Sequence, residues 1–186
     1  MDDPTVDLRD YLKRRTAQAH DALDASVADA TWDDLRGYAA FLQRQLAARA
    51  SVEDWMARHC PPAILPPATV PHLRADLAAL GAPETHLVSR DFDLPADADP
   101  IGASWALAGS HLGNRVMLKS LRDTGADWPT AFLGDEAMIA FWRQLRPQIE
   151  REVSRDEAER AARAAEAVFA RFAMAFGVAS AHRDAA

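Results

Sequence analysis

The chain has a single cysteine, Cys60, among 186 residues. An internal disulfide is therefore excluded, as is any zinc or iron–sulfur centre built on several cysteines. Positive charge is scarce: 21 Lys and Arg face 28 Asp and Glu, a formal net charge of −7. A broad nucleic-acid surface needs concentrated Lys and Arg, so nucleic acid is not an expected partner. No stretch approaches the roughly 18 uninterrupted apolar residues of a membrane span, and Met1 to Asp10 is acidic, without the apolar core of a secretory leader. The expectation is a cytoplasmic protein with no membrane partner. Gly-x-Gly-x-x-Gly, the P-loop, His-Glu-x-x-His and the Glu-x-x-His of di-iron bundles are all missing. There is no nucleophile elbow. Glycines number only eight, aromatics make up 8%, and no regular series of Gly or Asn-Gly turns marks a β-meander.

What is abundant is Ala, Leu, Arg, Glu and Asp, which together favour helices. The length suits one domain with one core. Leu8, Leu12, Ala19, Leu23 and Val27 recur at helical spacing and predict a first helix over Pro4 to Ala28. A second is predicted from Thr31, where Thr31-x-x-Asp34 resembles a capping arrangement. Five prolines between His59 and Pro71 predict a non-helical connection. A short helix over His72 to Leu80 should stop at Gly81, with a loop over residues 82–99. Three more helices are predicted: Pro100 to just before Gly125, Asp135 to Glu152, and Ser154 to Phe176. The last has a Ser154-x-x-Glu157 capping box and Gly177 as its stop.

Two features invite a chemical reading. Gly102, Gly109 and Gly113 lie within one predicted helix, where each costs about 1 kcal/mol against Ala. They share one face and make a stripe without side chains. Either another helix packs closely there or a flat ligand lies against the backbone. The second feature is His20, about 60° from Leu23 at the edge of the first helix's apolar stripe. It is either a half-buried histidine with a water partner or a metal ligand facing a cavity. Lys13 lies on nearly the same face, roughly 10 Å away along the helix. Haem has a matching shape, with iron at its centre and carboxylates at one rim. The cluster Lys13, Arg14 and Arg15 reads either as a solvated face or as a contact for an acidic ligand.

Leu12-Lys13-x-x-Thr16-x-x-x-His20 resembles the proximal-helix pattern of haem oxygenases, particularly the short bacterial type. Gly109-Ser110-x-Leu112-Gly113 resembles their distal-helix pattern, in the right order about ninety residues later. Leu77 to Leu94 and the stretch from Phe141-Trp142 to Phe169 are also similar to that family. The resemblance implies an all-α, single-domain fold over residues 1–180, with a frayed tail at 181–186 and haem between the proximal and distal helices. It implies His20 as the iron ligand, Lys13 as the propionate partner, and Thr16, Trp105 and Phe169 at the haem. Gly109 and Gly113 would let the distal helix pass close over the ring, and Ser110 would help organise distal water. The implied reaction is oxidative cleavage of haem by O2 to biliverdin, CO and Fe2+. The chain has no flavin or nicotinamide motif, so electrons would come from a ferredoxin or flavoprotein reductase, docking through residues such as Arg14 or Arg15. A bilin acceptor is a further possible partner. Ala108 stands where bacterial relatives commonly have Glu, and Asn114 where they tend to have Gly or Ala. Two alternatives remain: a haem-binding or sensing protein of the same fold without turnover, and a helical interaction module whose glycine face packs another helix.

Overall fold

A computed structural model describes residues 4–28, 34–84 and 91–178. Its elements are β1 (Thr5–Asp7), α1 (Leu8–Ala28), α2 (Leu35–His59), a 3-10 turn (Pro62–Ile64), α3 (Val70–Ala79), α4 (Ile101–Leu112), α5 (Asn114–Asp123), α6 (Ala137–Ile149), β2 (Glu152–Ser154) and α7 (Arg155–Phe176). The all-α expectation holds. The expected tail at 181–186 lies outside the described residues.

The structure corrects the predicted elements in three ways. Residues 5–7 are not helical. They form a strand, antiparallel to β2, with Thr5 opposite Ser154, Val6 opposite Val153 and Asp7 opposite Glu152. Pro4 has no N–H to give a helix, and β-branched Thr5 and Val6 suit an extended backbone. Helix α1 begins only where Asp7 Oδ1 accepts from the Asp10 N–H. The pairing also shortens the helix predicted to reach Glu152, since α6 ends at Ile149. Helix α2 is capped by Asp34, which accepts from the Gly37 N–H, so the cap sits three residues beyond Thr31. Thr31 itself lies outside the described residues.

The third correction concerns the helix predicted from Pro100 to Gly125, which breaks at Gly113 into α4 and α5. Six predicted helices thereby become seven among the described residues. Ser110 Oγ donates back to the Leu107 carbonyl at 2.8 Å, a local bond that competes with the helical ladder and bends helices.

The predicted helix ends at Gly81 and Gly177 match the structure. Both glycines take positive φ, 64° and 69°. Ser154 Oγ accepts from the Glu157 N–H and caps α7.

Helix α7 is the common wall of the fold. Ala158, Ala161, Ala162, Ala164 and Ala165 are fully buried along it. Helix α1 runs beside α7 in the same direction: Tyr11 and Arg15 meet Glu159, Arg15 also meets Glu166, and His20 meets Phe169. Helix α4 crosses the same wall, with Gly102 against Ala161 and Trp105 beside Phe169. Among the described residues, no helix is long and apolar enough to cross a membrane.

Candidate functional site

The packing of α1 and α4 on α7 brings the two sequence features to the same place. Phe169 on α7 stands 6.3 Å from the His20 ring and 6.5 Å from the Trp105 ring, centroid to centroid. Gly109 lies one turn beyond Trp105 on nearly the same face of α4. Phe169 thus stands between His20 on α1 and Trp105 on α4, with Gly109 one turn further along α4.

The three glycines separate into two roles. A Cβ on Gly102 would fall 1.8 Å from the Ala161 carbonyl oxygen, so this glycine serves close helix packing. A Cβ on Gly109 would meet only Trp142 Cζ3, at 3.8 Å, and one on Gly113 only the Ser110 carbonyl, at 3.7 Å. No backbone of a second helix is pressed against those two; Gly109 faces the side chain of Trp142 on α6. Leu112 and Val116, 39% and 72% exposed, flank Gly113 with apolar surface.

The His20 side chain is 56% exposed, and its Nδ1 lies 3.2 Å from Asp24 Oδ2. With Nδ1–H donated to that carboxylate, the lone pair of a neutral ring sits on Nε2. Metal-binding histidines are commonly oriented in this way. Asp24 was not foreseen from the sequence, although the i,i+4 spacing from His20 was there to read.

Lys13 is exposed and has no ion pair among the described residues. Thr16 is 2% exposed, and its hydroxyl donates to the Leu12 carbonyl; it packs within the fold. Ser110 is exposed on α4, beside Gly113. Asn114 is buried, its side-chain amide on His111 Nδ1 at 3.0 Å. It thus serves the core. Ala108 is fully buried.

Arg15 differs from its neighbours Lys13 and Arg14. Its guanidinium donates to Tyr11, Glu159 and Glu166, clamping α1 onto α7. Burial works against its charge, but these partners outweigh it and raise its pKa. Arg15→Gln is expected to cost about 1 kcal/mol, a modest value because the pairs are part-exposed. The loss should shrink in a thermal melt at high salt; an effect independent of salt would contradict an ionic clamp.

His111 is 1% exposed, with Nε2 donating to the Asp135 carbonyl. Burial and the nearby Arg49 charge hold its pKa down at about 4. Below about pH 6.5 the unfolded chain takes up a proton that the folded chain refuses. Stability is therefore full above that pH and falls by up to about 1.4 kcal/mol per pH unit towards pH 4. Between pH 7 and 4.5 the wild type should lose about 2–3 kcal/mol more than His111→Gln in denaturant melts. Equal losses would reject this account.

A concavity of about 370 Å3 lies between α5 and the segment leading into α6, lined in part by Arg115, Lys119 and Asp135. None of the sequence-predicted site residues borders it.

No family model matches the chain, and no curated protein matches it in sequence. A solved structure does: the haem oxygenase of Neisseria meningitidis in its NO- and CO-bound forms. The TM-score is 0.71 over 95% of this chain and 96% of that one, at 20% identity. The chain has the all-helical haem oxygenase fold.

Proposed function

We propose that the chain is a haem oxygenase, binding haem through His20 in the cleft between α1 and α4. It would cleave the ring with O2 and external electrons to biliverdin, CO and Fe2+. The observation that carries this reading is the pairing of His20 with a facing helix that leaves space. Across Phe169 from a histidine whose Nδ1 meets Asp24 stands Trp105 on α4, followed by two glycines against which no other helix's backbone is pressed. The residues fit the group: one nitrogen ligand, an aromatic and apolar border, and one exposed cation two turns from the ligand.

Bound haem supplies both the oxygen-activating iron and the porphyrin that is opened. The chain's residues supply placement. His20 would supply the nitrogen ligand, with Asp24 holding its ring in one tautomer. Lys13 would pair with a propionate. Phe169, Trp105 and Leu112 would exclude water from the bound group. Gly109 and Gly113 would let α4 backbone come close without adding an acid–base side chain. Ser110 offers the nearest hydroxyl for an ordered water. The electron donor, a ferredoxin or flavoprotein reductase, would meet exposed Arg14 rather than Arg15, whose charge is committed to α7. Biliverdin leaves to solvent or to a bilin acceptor.

The test is hemin titration, then reductant in air with product chromatography. A stoichiometric Soret band that gives way to a bilin is expected. A haem spectrum that persists without bilin would favour the binding or sensing alternative. That alternative draws on buried Asn114 and Ala108, which leave α4 few polar groups at the cleft. No Soret band would reject both haem readings and favour the interaction module.

A further inference from the structure

Arg49 is the largest of the fully buried side chains, 1% exposed in the middle of α2. Its guanidinium donates to three neutral acceptors: Gln45 Oε1 at 3.1 Å, Thr69 Oγ1 at 3.4 Å and Ser110 Oγ at 2.8 Å. The Phe132 and Phe172 rings flank it at 5.3 and 5.5 Å. Glu53 Oε1 lies 3.9 Å from Nη1. The oxygens of Glu53 are taken up by the Thr69 N–H and hydroxyl and by the Val70 N–H. Asp135 acts on the guanidinium only through its charge: its Oδ1 accepts from the Ala137 N–H, and its Oδ2 is buried without a hydrogen bond among the described residues. The cation therefore has no short carboxylate contact.

Burying a guanidinium is costly, and an apolar side chain of similar volume often serves a core at least as well. What the guanidinium adds here is its bond to Ser110. Of its three acceptors, Ser110 alone is exposed, next to Gly109 on the helix proposed to face the haem. Because Arg49 donates to Oγ, that oxygen is polarised. Its proton, directed to the Leu107 carbonyl, is a stronger donor when the hydroxyl turns towards the cleft.

We propose that Arg49 is a positioning residue of the cleft: through Ser110 it makes the α4 side favour anionic over neutral ligands of the bound haem. This rests on the haem reading above. A purely structural Arg49, pinning α2 to α3 and α4, would change all ligands alike. The charge-relay role changes them selectively, because only an anion gains from the guanidinium field and the polarised donor.

The experiment titrates the ferric haem complex with fluoride and the ferrous complex with CO, in wild type, Arg49→Met and Ser110→Ala. Fluoride affinity should fall about tenfold in Arg49→Met and severalfold in Ser110→Ala, with CO affinity within about twofold in both. Folding is followed by circular dichroism; should Arg49→Met not fold, Ser110→Ala decides. Fluoride and CO affinities that fall together, or that both stay unchanged, overturn the inference while leaving haem binding intact. A wild type without a Soret band overturns the haem reading, and this inference with it.

Discussion

Gly102→Ala is expected to cost at least about 3 kcal/mol, lowering the melting temperature by roughly 10 °C or preventing accumulation of folded protein. The added methyl would stand 1.8 Å from the Ala161 carbonyl oxygen and 3.1 Å from the Ala165 nitrogen. Both are backbone atoms of α7, so no rotamer change relieves the clash. The helices must separate by over an ångström, which opens gaps along a wall of fully buried alanines. Alanine's helix preference returns only about 1 kcal/mol. Gly109→Ala is the control on the same helix: its Cβ meets one ring carbon at ordinary distance. That variant should melt within a few degrees of wild type. Equal melting temperatures for the two variants would refute the division of the stripe into packing and open positions.

His20→Ala is expected to weaken hemin binding on the order of 100-fold, about 2.8 kcal/mol, and to remove the spectrum of an imidazole-ligated haem. The side chain is more than half exposed, so its loss should hardly change folding. Added imidazole should restore the ligated spectrum by entering the vacated space. Asp24→Asn tests the supporting carboxylate: about tenfold weaker binding is expected, with the ligated spectrum kept. Undiminished affinity in His20→Ala, with no imidazole effect, would remove His20 from the site.

Much of the fold is local chemistry and can be read without a structure. The Ser154 capping box and the stops at Gly81 and Gly177 depend on residues within one or two turns. The two-stranded ribbon does not. Each strand is three residues long, too short to display alternation, and its partner lies nearly 150 residues away. The break at Gly113 escaped because glycine lowers helix preference without saying where a ladder yields. Arg49 left a signal that was passed over, a charge on the apolar face of α2 in line with Leu42. Its partners come from α3 and α4, and nothing in their spacing announces them.

The sequence by itself determined the helical class, most helix ends, and the two features that Phe169 links, His20 and the glycine-bearing helix. Each follows from periodicity, capping or residue type, which act over a few residues. Only the tertiary structure decided which glycine is pressed against another helix's backbone and which is not, and which member of the Lys13–Arg14–Arg15 cluster is committed to an ion network. It also revealed that the exposed Ser110 has a buried cation beneath it. These depend on what α7 and α2 bring from distant parts of the chain. A glycine's role is set by the neighbour its missing side chain would strike, and a charge's role by the carboxylates packed against it.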